Sequence, residues 1–529
     1  MNYDGTFNKH KVGGLLLWEA QKRTSDNFAA QRNLVLPLPY LFAGVADGQL
    51  ATMDSGSGGL YQYSNLALAG RFNYAYDNKY LAEILFRYDG SSKFANGYQW
   101  GLFPAVSLGW RVSDENFFKN FSQLSFINQL KIRASYGKTG DDGASSYQFV
   151  SGYNYPTRTD NRNFTGGYVY DGSFNASADN KGIPNPYITW YTAKTFDLGT
   201  DIEAWHGLLG VTADYFSRNR QGLLATRSGG IPTVVGAGLP QENLNGDRTY
   251  GFDLELSHRN HIGDFNYNLK GLFSLARVKR LYVERDAIGS SWSNWKNNQN
   301  NRLQGVQTGL QGDGQFQSWN EIWSSPTYVG RGTIIGDYKY QDWNGDGEIN
   351  GNDVHPIRYN QYPWMNFSMI LDASYKGFDI NFLLQGSAMS SLTYGEQLRE
   401  PMWGSGDAGA MVQFMDRWHP ADPKADPYDP ATKWVSGHYA YTGTLPDGGS
   451  TFNVVNSAYL RLKSIELGYT LPSQLIKKSG LKNLRVYVNT YNLFTITKVQ
   501  YVDPEHPNDT YGYLYPLNKS VSVGLNVKF

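Results

Sequence analysis

The last ten residues, SVSVGLNVKF, alternate Val521, Val523, Leu525, Val527 and Phe529 against Ser522, Gly524, Asn526 and Lys528. A two-residue period places the first set on one face of a β-strand and the second on the other. The same alternation recurs along most of the chain. Leu66, Leu68, Gly70, Phe72, Tyr74 and Tyr76 oppose Ala67, Ala69, Arg71, Asn73 and Ala75, and Ala82, Ile84, Phe86 and Tyr88 oppose Leu81, Glu83, Leu85 and Arg87. Phe196, Leu198 and Ile202 oppose Asp197, Asp201 and Glu203, while Phe252, Leu254 and Leu256 oppose Asp253, Glu255 and Ser257. A long run follows over Phe265, Tyr267, Leu269, Gly271, Phe273 and Leu275. Phe367 to Tyr375 and Phe378 to Leu384 repeat the pattern on either side of Lys376-Gly377. Charged residues keep to the face away from the apolar set. A watery lumen solvates them there, whereas a sandwich core would strip their water. One amphipathic strand suits either architecture, but a period shared along the chain predicts one wall: an all-β, transmembrane antiparallel β-barrel.

Fifteen strands are expected, near 1–7, 10–23, 64–76, 79–90, 98–112, 128–138, 189–204, 207–225, 247–260, 263–284, 364–376, 378–391, 457–471, 483–497 and 519–529. Links such as Asp77-Asn78-Lys79 and Lys376-Gly377 are tight. Those near 139–187, 285–362 and 392–456 are long and rich in Gly, Asn, Asp and Trp. Alternating short and long links are what periplasmic turns and extracellular loops produce. The uniform texture predicts a single barrel domain over 1–529, with function in the long loops and the lumen.

Composition narrows the classes. Equal numbers of basic and acidic residues, 47 each, give no reason to expect a nucleic-acid partner. The chain has no Cys, which removes disulfides and thiolate-bound metals. No run of about 18 apolar residues exists, which excludes a helical membrane protein, and a mean hydropathy of -0.49 fits a barrel exposing half of each strand to lipid. The 39 Tyr, 27 Phe and 14 Trp suit interfacial belts and loop packing.

The stretch RFNYAYDNKYLAEILFRYDGSSKFANGYQWGLFPAVSLGWRVSDENF, with LKIRASYGKTGD after it, resembles the barrel of SusC/RagA-type TonB-dependent transporters of the Bacteroidetes outer membrane. So do GDYKYQDWNGDGEING, DRWHPADP, the closing series SAYLRLKSIELGYTLPSQLIKKSGLKNLRVYVNTYNLFTIT, VDPEHP and the final Phe529, from about Gly70 to the terminus in the family's order. The resemblance implies the C-terminal part, roughly fifteen strands, of a barrel of about 22 strands closed by a plug, with Phe529 as the C-terminal barrel-assembly signal. It implies import of glycans or oligopeptides across the cell outer membrane, in contact with its lipid. The implied partners are a SusD-like surface lipoprotein and the TonB complex, the latter through an N-terminal part. The sequence departs from the pattern at its start, where MNYDGTFNKHKVGGLLLWEAQ already reads as barrel wall with no plug or TonB box before it. The expectation is a portion of a longer protein that does not transport alone. The alternative is a short-form barrel acting as passive porin, adhesin or receptor.

The sharpest local motif is DWNGDGEINGND, residues 342–353. It fits the Ca2+ loop pattern, with Asp342, Asn344 and Asp346 at positions one, three and five, Gly347 at the turn, the Glu348 carbonyl, Asn350, and Asp353 at position twelve. Hard oxygen donors at this spacing point to Ca2+ as the one cofactor to test. Asp353 in place of Glu predicts weak binding, and an Asx-rich turn accounts for the same residues without metal. Loop tryptophans form a second candidate, for ligand or lid contact: Trp292, Trp295, Trp319, Trp323, Trp403, Trp418 and Trp434, with Trp343 among them. Their faces suit sugar C–H surfaces, and packing inside the loops is the plainer role. Enzymatic constellations are missing: the eight His are scattered, no H-E-x-x-H or G-x-S-x-G occurs, and the chain reads as a non-enzyme.

Overall fold

The computed structural model describes residues 1–25, 29–33, 50–52, 61–154, 167–176, 179–227, 236–286, 289–328, 333–404, 409–477, 480–506 and 511–529. Its main body is one 15-stranded sheet whose strands lie in chain order. They are β1 (Asn2–Phe7), β2 (His10–Ser25), β3 (Tyr61–Tyr76), β4 (Tyr80–Ser91), β5 (Trp100–Arg111), β6 (Ile127–Asp141), β7 (Tyr191–Ala204) and β8 (Leu209–Thr226). There follow β9 (Gln241–Ile262), β10 (Phe265–Tyr282), β11 (Met365–Tyr375), β12 (Phe378–Ala388), β13 (Tyr459–Thr470), β14 (Asn483–Thr497) and β15 (Ser520–Lys528). Each pairs antiparallel with its chain neighbours, and β1 and β15 are the sheet edges. All the expected wall strands are present, because the two-residue period that marks them survives along the whole chain. The largest boundary difference is at β9, which starts at Gln241. There a register shift in β8 at Gly222, whose φ is +73°, lets pairing run on to Thr226 and Gln241.

Antiparallel succession sends alternate links to opposite ends. At one end are tight turns: Asp77 and Asn78 at φ 53° and 54°, and Lys376 and Gly377 at φ 46° and 87°. Positive φ at both central residues gives the twist that two-residue hairpins need. A Cβ on Gly377 would lie 2.7 Å from the Thr470 carbonyl oxygen, so glycine is required twice over. At the other end lie the long links.

The apolar set of each strand faces outward. Leu66, Leu68 and Phe72 on β3, Ile84 and Phe86 on β4, Leu198 on β7, and Val521, Val523 and Leu525 on β15 are all exposed, while Ala67 on the opposite face is buried. This inverts a water-soluble protein and matches a lipid-facing wall. No helix among the described residues is long and apolar enough to cross a membrane. Phe529 stands exposed just past β15.

Two long links, 283–364 and 389–458, fold together into a small core. Leu310, Tyr338, Tyr340 and Ile349 from the first pack with Ala440 from the second, and Phe452 packs against them. Polar contacts tie the same seam. The Asp447 amide donates to the Tyr340 hydroxyl at 2.7 Å, and the Gly312 amide to Thr451 Oγ1 at 2.8 Å. The link 498–519 is tied to β13 through Arg461, whose guanidinium pairs with Asp503 at 2.7 Å and Glu505 at 2.8 Å.

Candidate functional site at the lumen and its loops

The inner face carries ionic clusters held by strand register. Arg133 on β6 lies opposite Gly199 on β7, which lies opposite Asp214 on β8. With no side chain between them, the guanidinium reaches the Asp214 carboxylate at 2.7 Å, and Asp201 and Asp197 sit at 3.4 and 3.8 Å. Lys270 meets Glu255 at 2.6 Å, and Arg485 bridges Asp379 and Glu466. These groups remain partly open to water, so the face is a wet, charged wall. No group of three or more metal-ligating His, Cys, Asp or Glu side chains is found among the described residues.

In the 342–353 loop the side chains of Asp342 and Asp353 do structural work. Asp342 accepts the Gly345 and Gly347 amides at 2.7 and 2.8 Å, and the Gly347 bond foremost lowers its pKa below the ordinary aspartate value. Asn344 donates to Asp346 at 2.7 Å, and Asp346 accepts the Glu348 amide at 2.9 Å. Asp353 is fully buried. Its oxygens accept the amides of Trp343 at 2.9 Å and Asn350 at 2.8 Å, and Asn350 completes a capping box. The twelfth position thus closes the loop on its own main-chain amides. Asp342, Asn344 and Asp346 stay at the surface or close to it.

The tryptophans divide into groups. Trp292, Trp295 and Trp343 form a cluster with centroids 5.3 to 6.0 Å apart, and His355 stacks on Trp343 at 4.7 Å. Trp295 is half exposed. Trp319 lies 6.3 Å from Trp323 and 6.4 Å from Tyr428, both open to solvent. Trp418 is buried in the loop interior, and its indole donates to Gln315 at 3.1 Å. Trp434 packs edge-on to Tyr441, and Trp403 is half-buried elsewhere in the same link. Beside the first cluster, at the loop end of β10 and β11, a cavity of about 1340 Å3 is bordered by Arg280, Lys296, Arg302, Arg358, Tyr359 and Trp364. Sequence reading missed this cavity, because its residues come from separate segments with no shared motif.

The family model "TonB dependent receptor-like, beta-barrel" matches residues 3–493. The chain belongs to this family. Among its relatives, TonB-dependent receptor P26 of Formosa agariphila is 28% identical over 489 residues, covering 88% of this chain and 46% of that protein. TonB-dependent receptor SusC of Bacteroides thetaiotaomicron is 23% identical over 483 residues, covering 87% of this chain and 43% of that protein. The solved RagAB peptide transporter shares the fold at TM-score 0.73 and 19% identity, covering 100% of this chain and 54% of that chain. This TonB-dependent receptor barrel chain therefore spans about half the length of the relatives it matches. Its place is the outer membrane, crossed by strands, and its family is one of receptors and transporters rather than enzymes.

Proposed function

We propose that this chain forms barrel wall and mouth loops of a TonB-dependent importer that takes up glycans or oligopeptides together with a SusD-like surface lipoprotein. The observation that carries the reading is the pairing of a wet, ionic inner wall with long links folded over one end into a cavity and aromatic clusters. An importer needs both, a hydrophilic path and a capture surface at its entrance. The RagAB neighbour is a peptide transporter, in keeping with the oligopeptide class; the glycan class and the lipoprotein partner rest on the sequence resemblance described above.

The test is uptake in the source cells. Deleting this protein's gene abolishes growth on its substrate as sole nutrient, and blocking the TonB complex does the same. A surface lipoprotein co-purifies with the native protein in mild detergent. Uptake that persists without TonB would instead make the barrel a passive pore.

A further inference from the structure

Several cations elsewhere in the wall are matched by carboxylates. Arg133 meets three aspartates, Arg485 meets Asp379 and Glu466, and Arg220 meets Asp247. The cavity at the loop end of β10 and β11 differs. Arg280, Arg285, Lys296, Arg302 and Arg358 all line it, and none forms an ion pair with a described residue. Its carboxylates are Glu284 and Asp286. Glu284 is already engaged, by Arg227 at 3.6 Å and by the Tyr282 hydroxyl at 2.6 Å.

The cations are held in place by neutral groups. Arg302 donates to the carbonyls of Lys296 and Trp295 at 2.6 and 2.7 Å and lies 5.5 Å from the Trp295 ring. Lys296 donates to the Gly351 carbonyl, and Arg285 to that of Asp286 at 3.3 Å. Carbonyl contacts orient these side chains and leave their charge uncancelled. The result is a preorganised, half-buried positive cavity, an arrangement whose self-repulsion persists until an anion enters.

We propose that this cavity binds an acidic oligosaccharide, its rings bearing carboxylate or sulfate groups, as the substrate class of the importer proposed above. Guanidinium forks match carboxylate and sulfate oxygens in bidentate fashion. Tyr359, exposed and edge-on to the buried Trp364, also lines the cavity, and the Trp295 ring beside Arg302 is half exposed. These rings supply the flat apolar surfaces that pyranose C–H faces require and that an acidic peptide does not. A volume of about 1340 Å3 exceeds that of a typical small-ligand pocket and accommodates several linked rings. The inference rests on the import reading for its biological setting, and the binding itself does not.

The experiment is titration calorimetry on the full-length protein in detergent. The probes are an oligouronate hexasaccharide, a sulfated hexasaccharide, maltohexaose and hexaglutamate. The expected result is binding of one or both acidic hexasaccharides, weakened as salt rises, and at least about tenfold tighter than maltohexaose or hexaglutamate. The two acidic sugars separate carboxylate from sulfate recognition. Arg280→Gln with Arg358→Gln, which breaks no ion pair, weakens acidic binding by about tenfold or more. The charge-keeping pair Arg280→Lys with Arg358→Lys loses the bidentate fork but keeps the charge, so it weakens binding less than the Gln pair, and unchanged circular dichroism certifies folding. Maltohexaose binding as tightly as the acidic sugars, hexaglutamate binding tightest, no binding of any acidic sugar, or variants that bind like wild type would each overturn the proposal. Those results leave TonB-dependent uptake of another nutrient intact. Loss of the import reading, conversely, would show as uptake without TonB while acidic sugars still bind.

Discussion

Arg133 and Asp214 meet at 2.7 Å across Gly199, two strands apart and 81 residues distant in sequence. An ideal Cβ at position 199 would fall 2.2 Å from Asp214 Oδ1 and 2.7 Å from Arg133 Cζ. The glycine is therefore the gap through which the inner wall is stitched. Gly199→Val should part the pair, and Arg133→Ala should leave Asp197, Asp201 and Asp214 facing one another. Because the groups are about a third exposed, the loss from Arg133→Ala is only about 1 kcal/mol. Urea unfolding in detergent measures it, and the Gly199→Val, Arg133→Ala double variant should lose little more than the worse single one.

Arg461 is a different case, since its side chain is 3% exposed and those of Asp503 and Glu505 are 13% and 15% exposed. Arg461→Met strands the Asp503 carboxylate, while Glu505 keeps Lys463 at 2.8 Å, and should cost about 3 kcal/mol. Asp503→Asn should cost less, because Glu505 still answers the charge. Limited proteolysis of the 498–519 link reads the difference, with earlier cleavage in Arg461→Met.

The Gln317 amide donates to the Glu321 carboxylate at 2.7 Å and the Lys339 ammonium donates to it at 2.9 Å, and these bonds, the amide first, hold the Glu321 carboxyl below its usual 4.5. A lowered carboxyl contributes its stability fully above 4.5 and loses it as pH falls through the lowered value. Short helix Trp319–Ser324 should therefore loosen only in acid. An acid titration followed by tryptophan fluorescence should show a step in wild type that is missing in Glu321→Gln.

Main-chain amides close the 342–353 loop onto Asp342 and Asp353. Hydrogen exchange there should be slow in EDTA and become fast in Asp353→Ala. Protection that appears only on adding Ca2+, and vanishes in Asp346→Ala, would mean that the ion organises the loop instead.

Strand positions were legible because alternation is a local property: Leu198 beside Asp197 already announces two faces. The hairpin at Lys376-Gly377 was legible for the same reason, since two residues suffice to specify it. What could not be read is who meets whom across the chain. Nothing near Arg133 names Asp214, and nothing near Arg461 names Asp503 or Glu505, because register and loop folding set those distances. Asp353 shows a subtler limit. Its spacing matches a cation ligand, and nothing in that spacing announces its burial or the three amides it accepts. Trp418 likewise carries the side chain of a sugar platform and sits in the loop interior.

One sheet separates lipid from a charged aqueous path, and because this chain has no Cys, single introduced cysteines test that directly. Single variants Asp197→Cys and Leu198→Cys, neighbours on β7, are labelled in outer membranes with a water-soluble maleimide. Position 197 should react, and position 198 should be protected until detergent solubilises the membrane. Equal reaction at both positions, or protection at 197 with reaction at 198, would contradict it.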